Sequence, residues 1–578
     1  MTITHKFRQI ILLLFAMATF GACTSESVTR TATEESEVSP TTVITPPVAQ
    51  PDRARDQLAK GKLETYAGQA ATREFKPATP SNLASGLAIF PRDMGGPSEP
   101  LDTARYAHFD DHPVKRVSET PVSTFSIDVD TGAYANARRF LKQGQLPVKD
   151  AVRVEEMINY FSYDYPVPSD KTRPFSVTTE IAPTPWNRDT YLLRVGLKGY
   201  DVAASALPPA NLVFLVDVSG SMMPPERLPL LKSGLKLLVQ KLRAQDRVAI
   251  AVYAGASGVV LESTPGDQKA KIIAALDRLS AGGSTNGGAG IRLAYALAEQ
   301  AYIPGGINRV LLATDGDFNV GTVSFEALKD MVEQKRKSGV SLTTLGFGTD
   351  NYNDQLMEQL ADAGNGNYSY IDTLNEAHKV LVDEMSSTLQ TIAKDVKIQI
   401  EFNPGVVAEY RLIGYENRAL KREDFHNDKI DAGDIGAGHT VTALYEVALT
   451  GGKGERIDAL RYSATPSVEG KKDELARLRL RYKLPESDNS VLMEQIVRSA
   501  DIKPELAAAS VDLRFAAGVA AFGQILRGGK YTGTYNYDDV LKLTQGARGK
   551  DAFGYRGEFL SLVNLAKSLD TTSEHAQR

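Results

Sequence analysis

Between about residues 208 and 394, short apolar runs alternate with amphipathic helical segments, and no other feature restricts the fold as strongly. The run NLVFLVD is apolar between its ends, as a strand must be when both faces of its sheet are covered. The segment that follows places Leu228, Leu231, Leu235, Leu238 and Leu242 at steps of three and four, the spacing of one helix face. Strand-like runs RVAIAVYA, NRVLLATDG and SLTTLGFG, with helical segments near 268–279, 288–301, 325–338 and 375–389, continue the alternation. The pattern predicts an α/β domain over 208–394, doubly wound about a mostly parallel sheet.

In such sheets ligands bind beyond the carboxyl ends of the strands, where the strand order reverses and the loops diverge. Three loops at such ends are rich in oxygen. The first strand ends in Asp217-Val218-Ser219-Gly220-Ser221, a later loop reads GGSTNGG and contains Thr285, and NRVLLA ends in Thr314-Asp315-Gly316-Asp317. Together they resemble the metal-ion-dependent adhesion site of von Willebrand factor type A (VWA) domains, whose pattern is DxSxS, a distant Thr and a distant Asp in a TDG context. The resemblance implies Asp217, Ser219, Ser221, Thr285 and Asp315 as metal ligands. The two serines and the threonine would be candidates for direct coordination, and the aspartates for direct or water-mediated contact.

The chemistry is coherent without the name. Magnesium takes about six oxygens and keeps some waters, which suits carboxylates and hydroxyls on separate loops, and Mn2+ shares that preference. Hydroxyl ligands are neutral, so the ion stays electrophilic enough to accept an acidic side chain from a partner. Asp317 lies outside the pattern and reads as a turn residue.

Strand-like stretches lie on both sides of this domain. FSVTTEIAP and YLLRVGLK precede it, VKIQIEFNPGVVAEYRLIGYE and HTVTALYEVALT follow it, and the pattern predicts one β-sandwich whose halves flank the α/β unit. The expected division is a flanking module of helices and strands over 113–207, a β-rich segment over 395–485 and a helical segment over 486–578. In the last of these, Leu513, Phe515, Val519, Phe522 and Leu526 form one core stripe and Phe559, Leu562, Val563, Leu565 and Leu569 another. Asp128 and Asp130 form a DxD pattern, but the position of Gly132 fits neither an EF-hand loop nor a haloacid-dehalogenase-type phosphatase, which leaves turn carboxylates at a strand end. Arg477, Arg479, Arg481 and Lys483 alternate with apolar residues and share one strand face. The stretches STFSIDVDTGAYANARRFL, VRVEEMINYF, DLRFAAGVAAFGQILRGGKYTG and ARGKDAFGYRGEFLSLV resemble those of a group of bacterial VWA lipoproteins with characteristic N- and C-terminal domains.

The amino terminus supplies the remaining constraint. Lys6 and Arg8 precede a short apolar run, and Phe20-Gly21-Ala22-Cys23 ends it, an arrangement that resembles a lipoprotein signal over 1–23 with Cys23 as the acylated residue. The apolar run is too short for a transmembrane helix. Thr24, where an aspartate would favour inner-membrane retention, points to an outer-membrane anchor facing the periplasm. Residues 24–112, rich in Ser, Thr, Pro and Glu over most of their length, read as a disordered tether. Cys23 is the one cysteine of the 578 residues, which excludes an internal disulfide, and a formal net charge of -5 gives no reason to expect nucleic acid. The sequence has no HExxH, GxSxG or P-loop motif among its seven histidines and many glycines, so a binding protein that meets an acidic envelope partner through a divalent cation is expected rather than an enzyme. A metal-dependent hydrolase and an anionic lipid or polysaccharide module built on the Arg477 to Lys483 face are the alternatives.

Overall fold

The computed structural model describes residues 104–576 apart from 171, 284–286, 317–323, 350–351, 459 and 463–470, so Cys23, Thr285 and Asp317 lie outside the described residues. The chain opens with β1 (Lys115–Arg116), β2 (Val122–Ser126), α1 (Gly132–Lys142), α2 (Val154–Asn159) and the hairpin β3 (Phe175–Pro183) and β4 (Tyr191–Gly199). The central unit follows as β5 (Ala210–Asp217), α3 (Leu228–Lys241), β6 (Arg247–Tyr253), β7 (Ser257–Pro265), α4 (Lys269–Asp277), α5 (Gly287–Gln300), β8 (Ile307–Thr314), α6 (Phe325–Arg336), β9 (Ser341–Gly346), α7 (Asp354–Ala363) and β10 (Tyr368–Tyr370). It closes with α8 (Leu374–His378), a π turn over Lys379–Asp383, and α9 (Met385–Leu389). Then come β11 (Thr391–Phe402), β12 (Val407–Ile413), β13 (Ile435–Gly436), β14 (Thr440–Leu449), β15 (Glu474–Lys483) and β16 (Ser490–Arg498). Three helices end the chain: α10 (Val511–Leu526), α11 (Tyr537–Gln545) and α12 (Tyr555–Ala576).

The central sheet runs β10-β9-β8-β5-β6-β7, parallel throughout except at the β7 edge. Successive residues of β5 explain its unbroken apolar character. Leu212, Phe214 and Val216 pack with α3, α4 and α8, while Val213 and Leu215 pack with α5, α6 and α7. The chain leaves β5 toward β6 on one side and returns to β8 on the other, so the switch in strand order falls between β5 and β8.

The expected sandwich forms from segments on both sides of the central unit. One sheet has the order β1-β12-β14-β4-β3, and the other has β13-β11-β15-β16 with β2 paired to β11. Segments 113–207 and 395–485 therefore contribute to shared sheets rather than to separate bodies. The expected boundary at 485/486 falls inside the β15–β16 hairpin, and helix begins only at Val511. Residues 104–112, expected within the tether, pack on the body: the Arg105 amide donates to Tyr352 O (2.8 Å), and Arg527 donates to Phe109 O (2.7 Å) and Asp111 Oδ1 (2.7 Å). The C-terminal stripes are buried against α1, α2 and the β4–β14 face, except that Leu569 is half-buried and Leu565 is 40% exposed. Among the described residues no helix is long and apolar enough to cross a membrane.

Buried ion pairs hold the central unit to its neighbours. Arg153, ahead of α2, donates to Asp354 of α7 (2.5 Å) and pairs with Glu156. Arg418 reaches Asp128 (3.3 Å), Asp130 (3.2 Å), Glu358 (3.5 Å) and Asp362 (2.7 Å). Arg138 of α1 pairs with Asp372, with Glu376 of α8 (2.7 Å) and with Glu558 of α12 (3.1 Å). The DxD pair is thus an arginine-binding turn, with the Asp130 amide bonded back to Asp128 Oδ1 (2.9 Å).

Candidate metal centre

Asp217 ends β5 and Asp315 follows β8, on adjacent strands at the switch point. Both carboxylates are buried. Asp217 Oδ1 accepts the Ser219 amide (2.8 Å) and Oδ2 accepts the Thr314 hydroxyl (2.9 Å), so both oxygens are aimed by their own turn and the neighbouring strand. Burial, with the Asp315 charge adding to it against the hydrogen bonds from Ser219 and Thr314, raises the Asp217 carboxyl above its ordinary range. Tyr253, buried at the end of β6, neighbours the same carboxylate, and its hydroxyl is pushed well above the ordinary phenol range by burial and by the Asp217 charge.

Ser219 is extended and Gly220–Met222 makes a single 3-10 turn, which folds Ser221 back so that the Ser219 and Ser221 hydroxyl oxygens stand 3.0 Å apart. In an octahedral shell with oxygens about 2.0–2.1 Å from the ion, adjacent ligands stand about 2.9 Å apart. The two hydroxyls therefore have the separation of neighbouring ligands on one small divalent cation.

The loop preceding Thr285 is tied to the DxSxS turn by two backbone bonds, from the Gly220 amide to Gly283 O (3.0 Å) and from the Gly282 amide to Val218 O (2.7 Å). After Asp315 the chain turns at Gly316, where φ is 80° and a Cβ would lie 2.5 Å from the Asn353 amide nitrogen, so the TDG turn requires glycine. Asp217, Ser219, Ser221 and Asp315 thus come together. Their donor set, two carboxylates and two hydroxyls, fits a hard, oxygen-seeking ion.

Three contributors were not assigned from sequence. Thr314 orients Asp217, Tyr253 neighbours it on the adjacent strand, and Arg227 donates to Asp315 Oδ2 (2.7 Å), Ser221 O (2.8 Å) and Thr349 O (2.8 Å). Thr314 was visible as part of the TDG run. Nothing in the sequence marks Arg227, a lone basic residue after Pro224-Pro225-Glu226, as part of the centre.

The cations of the Arg477 to Lys483 face are paired with neighbouring carboxylates. Arg477 pairs with Glu494 (2.7 Å), Arg481 with Asp428 (3.2 Å) and Lys483 with Asp395 (2.6 Å), while Arg479 lies 5.0 Å over the Phe425 ring and 3.4 Å from Glu494. Four cations thus meet three carboxylates, with Glu494 shared by Arg477 and Arg479, so much of the face is paired within the sheet.

This fold and donor set define a VWA domain, and the VWA type A family model matches residues 211–384. Models described as "von Willebrand factor" and "Uncharacterized protein YfbK, C-terminal" match 100–194 and 387–569. "Uncharacterized protein YfbK" of Escherichia coli (strain K12) is 52% identical over 480 residues, covering 82% of each chain. The chain belongs to the YfbK family, VWA proteins with characteristic domains on either side.

More distant similarity is confined to parts of the chain. "Uncharacterized protein sll0103" of Synechocystis sp. is 30% identical over 29% of this chain and 39% of its own, and the human inter-alpha-trypsin inhibitor heavy chain H2 is 25% identical over 25% and 16%. Among solved structures, the von Willebrand factor type A protein from Catenulispora acidiphila aligns over 68% of this chain and 91% of its own at 16% identity and a TM-score of 0.40. VWA domains are in general protein-interaction or adhesion modules, commonly with a divalent metal at this site.

Proposed function

We propose that this protein is a cell-envelope lipoprotein, anchored through Cys23 in the outer membrane and facing the periplasm, whose VWA domain binds an acidic residue of a protein partner through Mg2+, with Mn2+ as a substitute. The reading rests on one observation above all: two hydroxyls 3.0 Å apart sit with two buried carboxylates at the switch point of the sheet. Asp217, Ser219, Ser221 and Asp315 would hold the ion with Thr285, and the ion would supply an electrophilic position for the partner's carboxylate. Among the described residues the centre offers carboxylates and hydroxyls suited to hold an ion, which supports a binding role.

The decisive experiment is a pull-down from envelope extract with wild type and Asp217→Ala, each with Mg2+ or chelator. Capture is expected only with wild type and metal. Equal capture in all four arms, or no thermal shift of the wild type with Mg2+ or Mn2+, overturns the metal-bridged reading. Cys23→Ser is expected to move the protein from the membrane fraction to the soluble periplasm. Retention of that variant in the outer membrane would remove the lipid anchor from the proposal.

A further inference from the structure

We propose that a polar cavity between the VWA domain and the sandwich is a second binding site, for one neutral sugar residue, formed by hydroxyls that the protein itself leaves unused. The inference does not depend on the metal centre. The cavity, about 260 Å3, lies where four parts of the chain meet. Thr131 comes from the turn before α1, Ser369 from β10, Ser386 and Thr388 from α9, and His439 and Thr440 from the turn into β14.

Two of these side chains show that the cavity is built as a site. Thr131 and Ser369 are 8% and 7% exposed, yet neither hydroxyl bonds to another residue among the described residues. Hydroxyls buried to this degree ordinarily find a partner. Thr131 is the N-cap residue of α1, a position that favours threonine because its oxygen accepts an amide of the first turn. Here Glu156 accepts the Ala133 amide instead (2.7 Å), so the threonine hydroxyl is released from the helix and lines the cavity. His439 adds a donor. Its Nδ1 accepts the Gly436 amide (3.3 Å), and burial, with the charges of Lys379 and Lys198, keeps the ring neutral, which places the hydrogen on Nε2.

The lining selects the ligand. Asp383 is bonded to His378 (3.2 Å) and Tyr555 (3.3 Å), Glu384 to Lys379 (2.5 Å), and Asp201 lies 3.5 Å from Lys198. Three carboxylates against two lysines repel an anion, and their pairing leaves acceptor oxygens for hydroxyls rather than a demand for a cation. No three of these acids and His439 converge as metal ligands. The apolar part of the lining is Val129, Val202 and Ala437, too little for a lipid. A volume just under the range of drug-sized sites, about 300–1,000 Å3, suits a single small ring. Donors and acceptors on several sides, with little apolar area, fit a polyhydroxylated one.

The test is saturation-transfer NMR on the full chain in chelator, so that the metal centre takes no part, with glucose, N-acetylglucosamine, cationic glucosamine and anionic glucuronate as probes. Wild type is expected to bind at least one of the two neutral sugars and not glucuronate. The Thr131→Val, Ser369→Ala double variant is expected to bind that sugar about thirtyfold more weakly, one hydrogen bond for each hydroxyl. Its melting temperature without sugar is expected to match wild type, because neither hydroxyl serves the fold. Binding of neither neutral sugar by wild type overturns the inference whatever the variant does, and so does binding of a charged sugar alone. Equal binding by the variant would place the sugar elsewhere. A variant that melts earlier or does not fold would show that the two hydroxyls are structural, and the inference falls while the metal reading stands.

Discussion

Two acid-rich turns of this molecule look alike as strings and differ in what surrounds them. Asp128 and Asp130 end one strand, Asp217 and Asp315 end two others, and all four carboxylates are buried. Around the first pair the fold brings Arg418, with Glu358 and Asp362 of α7 on its other edge. Around the second, among the described residues, it brings two serine hydroxyls, a threonine hydroxyl and Arg227, which reaches Asp315 and two main-chain carbonyls. A buried carboxylate pair bridged by one guanidinium is a fastener, whereas Asp217, bonded only to neutral donors in the named contacts, retains its charge for an ion. The first turn attaches the domains, and the second carries the donor set on which the proposed binding role rests.

Breaking the fastener is expected to have the largest effect. Arg418→Met leaves Asp128, Asp130 and Glu358 without their shared cation, and removal of one partner from a buried ionic cluster costs about 3–5 kcal/mol. Urea denaturation of the variant would measure it. A loss below about 1 kcal/mol would mean that the cluster does not hold the VWA domain in place.

The next effect is a pH dependence in the sandwich. His439, at the start of β14, is pushed down to about 3, by burial first and then by the charges of Lys379 and Lys198. The unfolded chain therefore takes up the proton first, so stability is undiminished above about pH 6.5 and declines as pH falls from there toward 3. The ring keeps some contact with solvent, so the full shift is not realised, and the expected loss is about 1–2 kcal/mol at pH 5. His439→Asn, which keeps an acceptor for the Gly436 amide, is expected to flatten this part of the profile in thermal melts from pH 5 to 7.5. An unchanged slope would reassign the acid sensitivity to other groups.

Asp217→Asn is expected to act in the opposite sense from Arg418→Met. Because burial disfavours the Asp217 charge, removing it in chelator should leave stability unchanged or raise it by about 1 kcal/mol, while the thermal shift produced by Mg2+ disappears. A loss as large as that of Arg418→Met would show that Asp217 is also a fastener, and the contrast between the two turns would collapse.

Much of this was legible in the residues. The unbroken apolar run of β5 required a sheet covered on both faces, and strand-like runs on both sides of residues 208–394 required a shared sandwich. DxSxS and TDG named Asp217, Ser219, Ser221 and Asp315 because a ligand loop is local, and glycine and serine turns are written in consecutive residues. What stayed hidden depends on distant partners. Arg227 reaches Thr349 and Asp315, which lie far along the chain. Ser490–Arg498 has apolar residues at both strand and helix spacings and becomes β16 only by pairing with β15. The helix expected over 375–389 is interrupted by a π turn where Lys379 is buried against Glu384 (2.5 Å) and lies over the Tyr160 ring (4.3 Å), contacts that no local periodicity encodes.

The smallest expected effect tests how finely the binding turn is set. Thr314 Oγ1 donates to Asp217 Oδ2 and accepts the Gly316 amide (3.2 Å), so one hydroxyl couples the carboxylate that ends β5 to the turn that presents Asp315. Thr314→Val keeps the shape and removes both bonds, each contributing about 1 kcal/mol. Since Asp217 keeps its bond from the Ser219 amide, it should remain in the centre but lose orientation. Mn2+ affinity is expected to fall by about fivefold, the equivalent of the bond to Asp217 alone, with Thr314→Ser close to wild type. A hundredfold loss would instead place Thr314 among the ligands, and no loss would mean that the Ser219 turn alone aims Asp217.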